Sequence, residues 1–250
     1  MVRTPVQGSL MKTRRLSEID LARLAAFTDQ GALEQALRNY NSGGGAWSYD
    51  PVRASTSDIL GAATPLLGEM PSPPWTSIER QIEAASSRGF AQATANKQVG
   101  KVLFMAARKS NWKAVKVSMG QLPIRIGESV RYWSDVVVAD ADGPFLPFFD
   151  HRREHGVVSP EARQIVHSMQ HLWVRERQPD LAGARLAVVR FPTDGASRSI
   201  QIKFHREEDL LPYDVIDARV RNVYETWARV SSEKTRSDAE KRTGTGGLFN

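Results

Sequence analysis

The chain has 250 residues, 41% of them hydrophobic, no cysteine and a formal charge of +6. Such a length and composition suffice for one sizeable core, or one domain with a small appendage, and exclude a disulfide framework or a thiolate metal site. No apolar run approaches the roughly 18 residues that would span a bilayer, and residues 1–15 lack the apolar centre of a signal peptide, so a cytoplasmic protein with no membrane partner is expected.

The first segment, residues 1–15, carries Arg3, Lys12, Arg14 and Arg15 with no acid and reads as a flexible basic arm. Ser17 then caps a helix whose apolar face holds Leu21, Leu24 and Ala25. Gly31 breaks the pattern, and a second short helix runs to about Tyr40. This pair forms a helical appendage through which a protein partner could dock. Residues 41–74, with Gly43-Gly44-Gly45 and five prolines from Pro51 to Pro74, read as an irregular linker, so the appendage and linker together cover 16–74.

The main domain is expected over 75–230. Thr76-Ser77-Ile78-Glu79 forms a capping box for a helix that buries Ile78, Ile82 and Ala85, and a second helix follows with Val99, Val102, Leu103 and Ala106. Trp112–Met119 alternates, with Val115, Val117 and Met119 on one face of a half-buried strand. Asp135 opens a β-hairpin: Val136–Ala139, a turn at Asp142-Gly143, and Phe145–Phe149, which delivers Asp150, His151 and Arg152. Ser159 and Pro160 start a helix with the stripe Ala162, Ile165, Val166, Met169, Leu172 and Trp173. Arg185–Phe191 and Ser199–His205 read as strands, and Asp214 caps a last amphipathic helix. Residues 231–250 are expected to be a disordered tail. The class is therefore α/β (α+β), a mixed β-sheet flanked by helices, with an N-terminal helical appendage.

Charge concentrates next to the hairpin. Residues 97–134 hold Lys97, Lys101, Arg108, Lys109, Lys113, Lys116, Arg125 and Arg131 against Glu128 alone, and four aspartates follow from Asp135 to Asp150. A basic segment running into an acidic one can hold a phosphate backbone beside a metal. Lys101, Lys109, Lys113, Lys116, Arg125 and Arg131 are the candidate nucleic-acid contacts. Trp112, Tyr132 and Trp133, which could stack on bases or fill a sheet core, stand among them. Two solvated faces explain the same pattern equally well.

The element order and the acidic hairpin resemble the PD-(D/E)XK nuclease superfamily, on Asp135 and on the Asp150-His151-Arg152 triplet. The resemblance implies a restriction-endonuclease-like core and a metal-dependent nuclease acting on DNA or RNA. Asp135 and Asp150, with Glu83 or Glu128, would then hold Mg²⁺ or Mn²⁺. Arg152, standing where the superfamily has lysine, would stabilise charge without deprotonating water. All five histidines lie between His151 and His205. His151, and the pair His167 and His171 one helical turn apart, are auxiliary candidates as proton donors or ligands; partly buried, hydrogen-bonded core histidines are the plainer reading of that pair. The alternative is a non-catalytic nucleic-acid- or protein-binding module, or a scaffold of a bacterial complex.

Overall fold

The computed structural model describes residues 16–40, 48–63, 73–117, 121–124, 128–131, 135–152, 156–195, 197–207 and 210–243. The helices are α1 (Glu18–Ala25), α2 (Gln30–Arg38), α3 (Asp50–Ala54), α4 (Thr56–Leu60), α5 (Trp75–Ala85), α6 (Phe90–Lys109), α7 (Pro160–Gln170) and α8 (Tyr213–Thr243). The strands are β1 (Lys113–Lys116), β2 (Gln121–Ile124), β3 (Glu128–Arg131), β4 (Val136–Asp140), β5 (Gly143–Asp150), β6 (Arg185–Arg190), β7 (Thr193–Asp194), β8 (Ser197–Arg198) and β9 (Gln201–Phe204). A five-stranded sheet runs in the order β1-β4-β5-β6-β9, with β5 and β6 parallel and every other pair antiparallel. The expected mixed sheet flanked by helices, and so the α/β (α+β) class, is what forms.

The expected hairpin forms, but its turn lies one residue earlier than Asp142-Gly143, with Asp140 paired to Gly143. The turn residues are Ala141 and Asp142, and the Asp142 N–H donates to Asp140 Oδ1 at 2.9 Å, an Asx turn. Gly143 opens β5 at φ 108°, a backbone state that favours glycine. Although Pro147 suggests an edge strand, β5 is central. Its antiparallel ladder to β4 runs only from Asp140–Gly143 to Val138–Phe145 and stops short of the proline, which has no N–H to offer.

Helices cover both faces of the sheet, which explains why β5 and β6 are apolar on both faces between their ends. On one face Leu146, Phe148, Leu186 and Val188 pack against α1, α2, α7 and α8. On the other, Phe145, Phe149, Ala187 and Val189 pack against α3 to α6. The helices of residues 16–40 thus share a layer with the C-terminal helix. On β1 the buried face is the reverse of the one expected: Ala114, beside Trp112, faces the α4–α6 layer, and Val115 is exposed.

Residues 231–250 are not a tail throughout, because α8 continues to Thr243. Its later turns are docked on α2. Arg229 and Glu233 join Glu34 and Arg38 in an ion-pair cluster, and Lys234 Nζ donates to the carbonyls of Leu37 (3.4 Å) and Tyr40 (3.3 Å). Those long-range contacts supply what a local reading of a polar sequence misses.

Candidate functional site

Asp150 ends β5 and His151 and Arg152 follow it, next to the parallel strand β6, at the edge where open α/β sheets bind ligands. The three side chains go to three different partners. Asp150 is fully buried. Its Oδ2 accepts from Val157 N–H at 2.7 Å, its Oδ1 accepts from Arg152 N–H at 3.2 Å, and Arg190 Nε lies 3.5 Å from Oδ2. Residue 156 must be glycine, because a Cβ there would lie 1.9 Å from Asp150 Oδ2. Asp150 therefore closes the loop after β5 and neutralises Arg190.

Arg152 turns to α1. Its guanidinium grips Asp20 with both arms, Nη1 to Oδ1 at 2.6 Å and Nη2 to Oδ2 at 2.8 Å, and Nη2 also donates to Ser17 Oγ at 3.2 Å. Tyr40 Oη donates to Asp20 Oδ2 at 3.0 Å. Burial pushes the Asp20 carboxyl up, but the hydrogen bond and charge of Arg152, with Ser17 and Tyr40, outweigh it and hold Asp20 below its usual range. The bidentate pair fastens the end of β5 to the first turn of α1.

His151 lies between aromatic rings: Phe191 at 5.5 Å, Tyr49 at 5.8 Å and Phe149 at 5.9 Å between centroids. It is 2% exposed, and neither ring nitrogen has a hydrogen-bond partner among the described residues. Burial first, and then the nearby charges of Arg53 and Arg198, push its pKa well below the ordinary value. Arg198 is buried as well, donating Nη2 to Tyr49 Oη at 2.6 Å and Nη1 to the Phe191 carbonyl. Arg53 pairs with Asp50 at 3.4 Å.

The remaining expected residues are dispersed. Asp135 is half-buried ahead of β4, its carbonyl accepting from Val117 N–H at 2.9 Å. Glu83 is on the α5 surface, paired with Lys97 of α6 at 3.3 Å. The side chains of Glu128 and Arg131, and all of Arg125, lie outside the described residues. Among the described residues no three His, Asp or Glu side chains are grouped to hold a metal ion. With both Asp150 oxygens engaged by N–H groups and Arg190 against them, the described residues around Asp150 do not fit a Mg²⁺ or Mn²⁺ site.

His167 and His171 do not converge either. His167 is buried, with Nδ1 at 3.3 Å from Gln170 Oε1, while Gln170 Nε2 donates to the Leu146 carbonyl at 2.7 Å. His171 begins a π-helical turn, His171–Arg175, and pairs with Glu176 at 3.4 Å. Lys101, Lys109, Lys113 and Lys116 are exposed on α6 and β1. The residues that complete the polar centre, Asp20, Tyr49, Arg53, Arg190 and Arg198, come from five other elements or loops. Only Arg190, a charge closing an apolar strand, and Asp20, three residues after the Ser17 cap, carried a local signal in the sequence.

The fold and centre define a class: a three-layer α/β protein whose buried charges at the strand ends lock α1, α3, β5, β6 and β8 together. The chain belongs to the SocB family, described as the sliding clamp-binding bacterial toxin SocB, whose family model matches residues 19–237. It is 31% identical over 240 residues to the DNA replication inhibitor toxin SocB of Caulobacter vibrioides (strain NA1000 / CB15N), a match covering 96% of this chain and 98% of that protein. No solved structure matches.

Family membership corrects the nuclease resemblance. The chain is not placed in the PD-(D/E)XK superfamily, and the nuclease and magnesium readings drawn from it fall with it. The family description names a protein, the sliding clamp, where the basic segment pointed to nucleic acid.

Proposed function

We propose that this protein is a bacterial toxin that inhibits DNA replication by binding the sliding clamp, acting as a protein-binding module in the cytoplasm. The observation that carries the reading is the match along nearly the whole of both chains to a replication inhibitor toxin, in a family described as clamp-binding. The centre supports it. The conspicuous charged triplet is consumed in holding layers together, so interaction falls to the surface. Occupying the clamp would deny it to the proteins that replicate DNA.

The test is direct binding of the purified protein to the sliding clamp of its host, by surface plasmon resonance, paired with labelled-thymidine incorporation on induced expression. Saturable binding and a stop in incorporation are expected. Incorporation that stops without any clamp binding, or DNA cleavage by the purified protein with Mg²⁺, would overturn the reading.

A further inference from the structure

The β9 edge combines three properties that nothing in the clamp reading uses. Its inner side is fixed by two hydrogen bonds: Ser199 N–H donates to the Pro192 carbonyl at 3.0 Å, and His205 N–H to the Leu186 carbonyl at 3.0 Å. In an antiparallel ladder the inward residues alternate, so Gln201 and Lys203 also point their amides to β6, and Ile202 and Phe204 point theirs outward. Among the described residues those outward groups meet no strand, since β9 ends the sheet.

The two faces of this edge differ in chemistry. Lys203 is paired with Val188 and lies on the α7 face, where it lines a cavity of about 380 Å³ with Arg163, Gln164, His167 and Arg206. Among the described residues Glu161 is the single acid lining it, and Lys203 makes no ion pair. On the opposite face Ile202 is half-buried, and Phe204, its ring against Phe145 at 5.6 Å and the Arg185 guanidinium at 4.5 Å, is 39% exposed.

We infer that the β9 edge binds an extended segment of a partner protein by strand addition, a segment that alternates acidic residues toward the Arg163–Lys203–Arg206 groove with apolar residues toward Ile202 and Phe204. Main-chain bonds to Ile202 and Phe204 supply the affinity, and the alternation supplies the choice of partner. A second copy of this chain is disfavoured, because two β9 edges laid antiparallel would bring lysine and arginine against lysine and arginine. The chain's own basic residues 1–15 are repelled for the same reason.

The probe is a fluorescein-labelled peptide of alternating glutamate and valine, with a lysine–valine peptide as control, read by anisotropy at low salt and by amide hydrogen exchange. The glutamate peptide is expected to bind and to protect the Ile202 and Phe204 amides. Ile202→Pro removes one outward N–H while sparing the β6 ladder, and should abolish binding with an unchanged circular dichroism spectrum. Lys203→Glu should weaken it about tenfold or more. No binding, or binding unaffected by Ile202→Pro, overturns the inference. So does oligothymidylate binding in this groove that outlasts Ile202→Pro, which would make it a phosphate site, and so does a dimer that Ile202→Pro dissolves. None of these outcomes bears on clamp binding, so the two readings fail separately.

Discussion

A neutral imidazole enclosed by three aromatic rings and two arginines makes His151 a source of acid sensitivity. Its folded pKa is far below the unfolded value of about 6.5. The unfolded chain therefore takes up the proton first. The stability linked to His151 is complete above pH ~6.5 and is lost as pH falls below it, by about 1.4 kcal/mol per pH unit. Urea denaturation at pH 7 and pH 5 should show this slope, and His151→Phe, which fills the same aromatic slot, should flatten it. Asp20 has the opposite chemistry but the same sign. Its depressed pKa contributes stability above pH ~3.8 that disappears only at more acidic pH, so the two effects are separable. Arg152→Lys keeps the charge but loses the two-armed grip on Asp20, and should cost about 2 kcal/mol by denaturation. Asp150→Asn should cost about 3–5 kcal/mol, because it leaves Arg190 buried without its counter-charge. Added Mg²⁺ should not alter the melting temperature of the parent protein or of the variant.

Among the elements, those with strong local signals were legible in the sequence, and those set by distant partners were not. The hairpin and the Ser-Pro start of α7 follow from turn and cap chemistry; α7 starts where expected, with the Ser159 hydroxyl accepting from Ala162 N–H at 3.1 Å, while the hairpin turn falls one residue earlier than Asp142-Gly143. Thr76 did not become a cap, since α5 starts two residues earlier than the box implies, at Trp75 behind Pro74. For β1, alternation alone could not say which face is buried; α4 and α6 decided for Ala114 over Val115. Asp150 shows the same limit at the site. An acidic residue leaving a strand looks alike whether it waits for a metal or caps a loop, and the difference lies in Val157, Gly156 and Arg190. The end of α8 gives an elemental test. Glu34, held down to about 2 by hydrogen bonds from Arg229 and Arg38, ties α2 to α8 on an exposed surface that salt screens. Truncation after Val230 removes Glu233 and Lys234, and should speed amide exchange across α2 while leaving β5 and β6 protected.

For the molecule as a whole, residues 16–40 are a structural member of the helical layer over β5 and β6, with Ile19, Leu21, Leu24, Leu33 and Leu37 all buried in the larger core. Deleting residues 1–40 should therefore abolish cooperative thermal unfolding and clamp binding together. An independent docking piece would leave a folded remainder, and differential scanning calorimetry distinguishes the two. Closure of this layer also has a timing. The Glu34–Arg229 and Arg38–Glu233 pairs each span 195 positions of the chain. At roughly 5–20 residues per second of synthesis, α1 and α2 emerge from the ribosome about 10–40 s before the helix that covers them. Throughout that interval the new chain displays a leucine-rich surface and lacks a finished fold. A chaperone or protease that meets the chain on the ribosome finds that surface open; once α8 is released, the surface is gone.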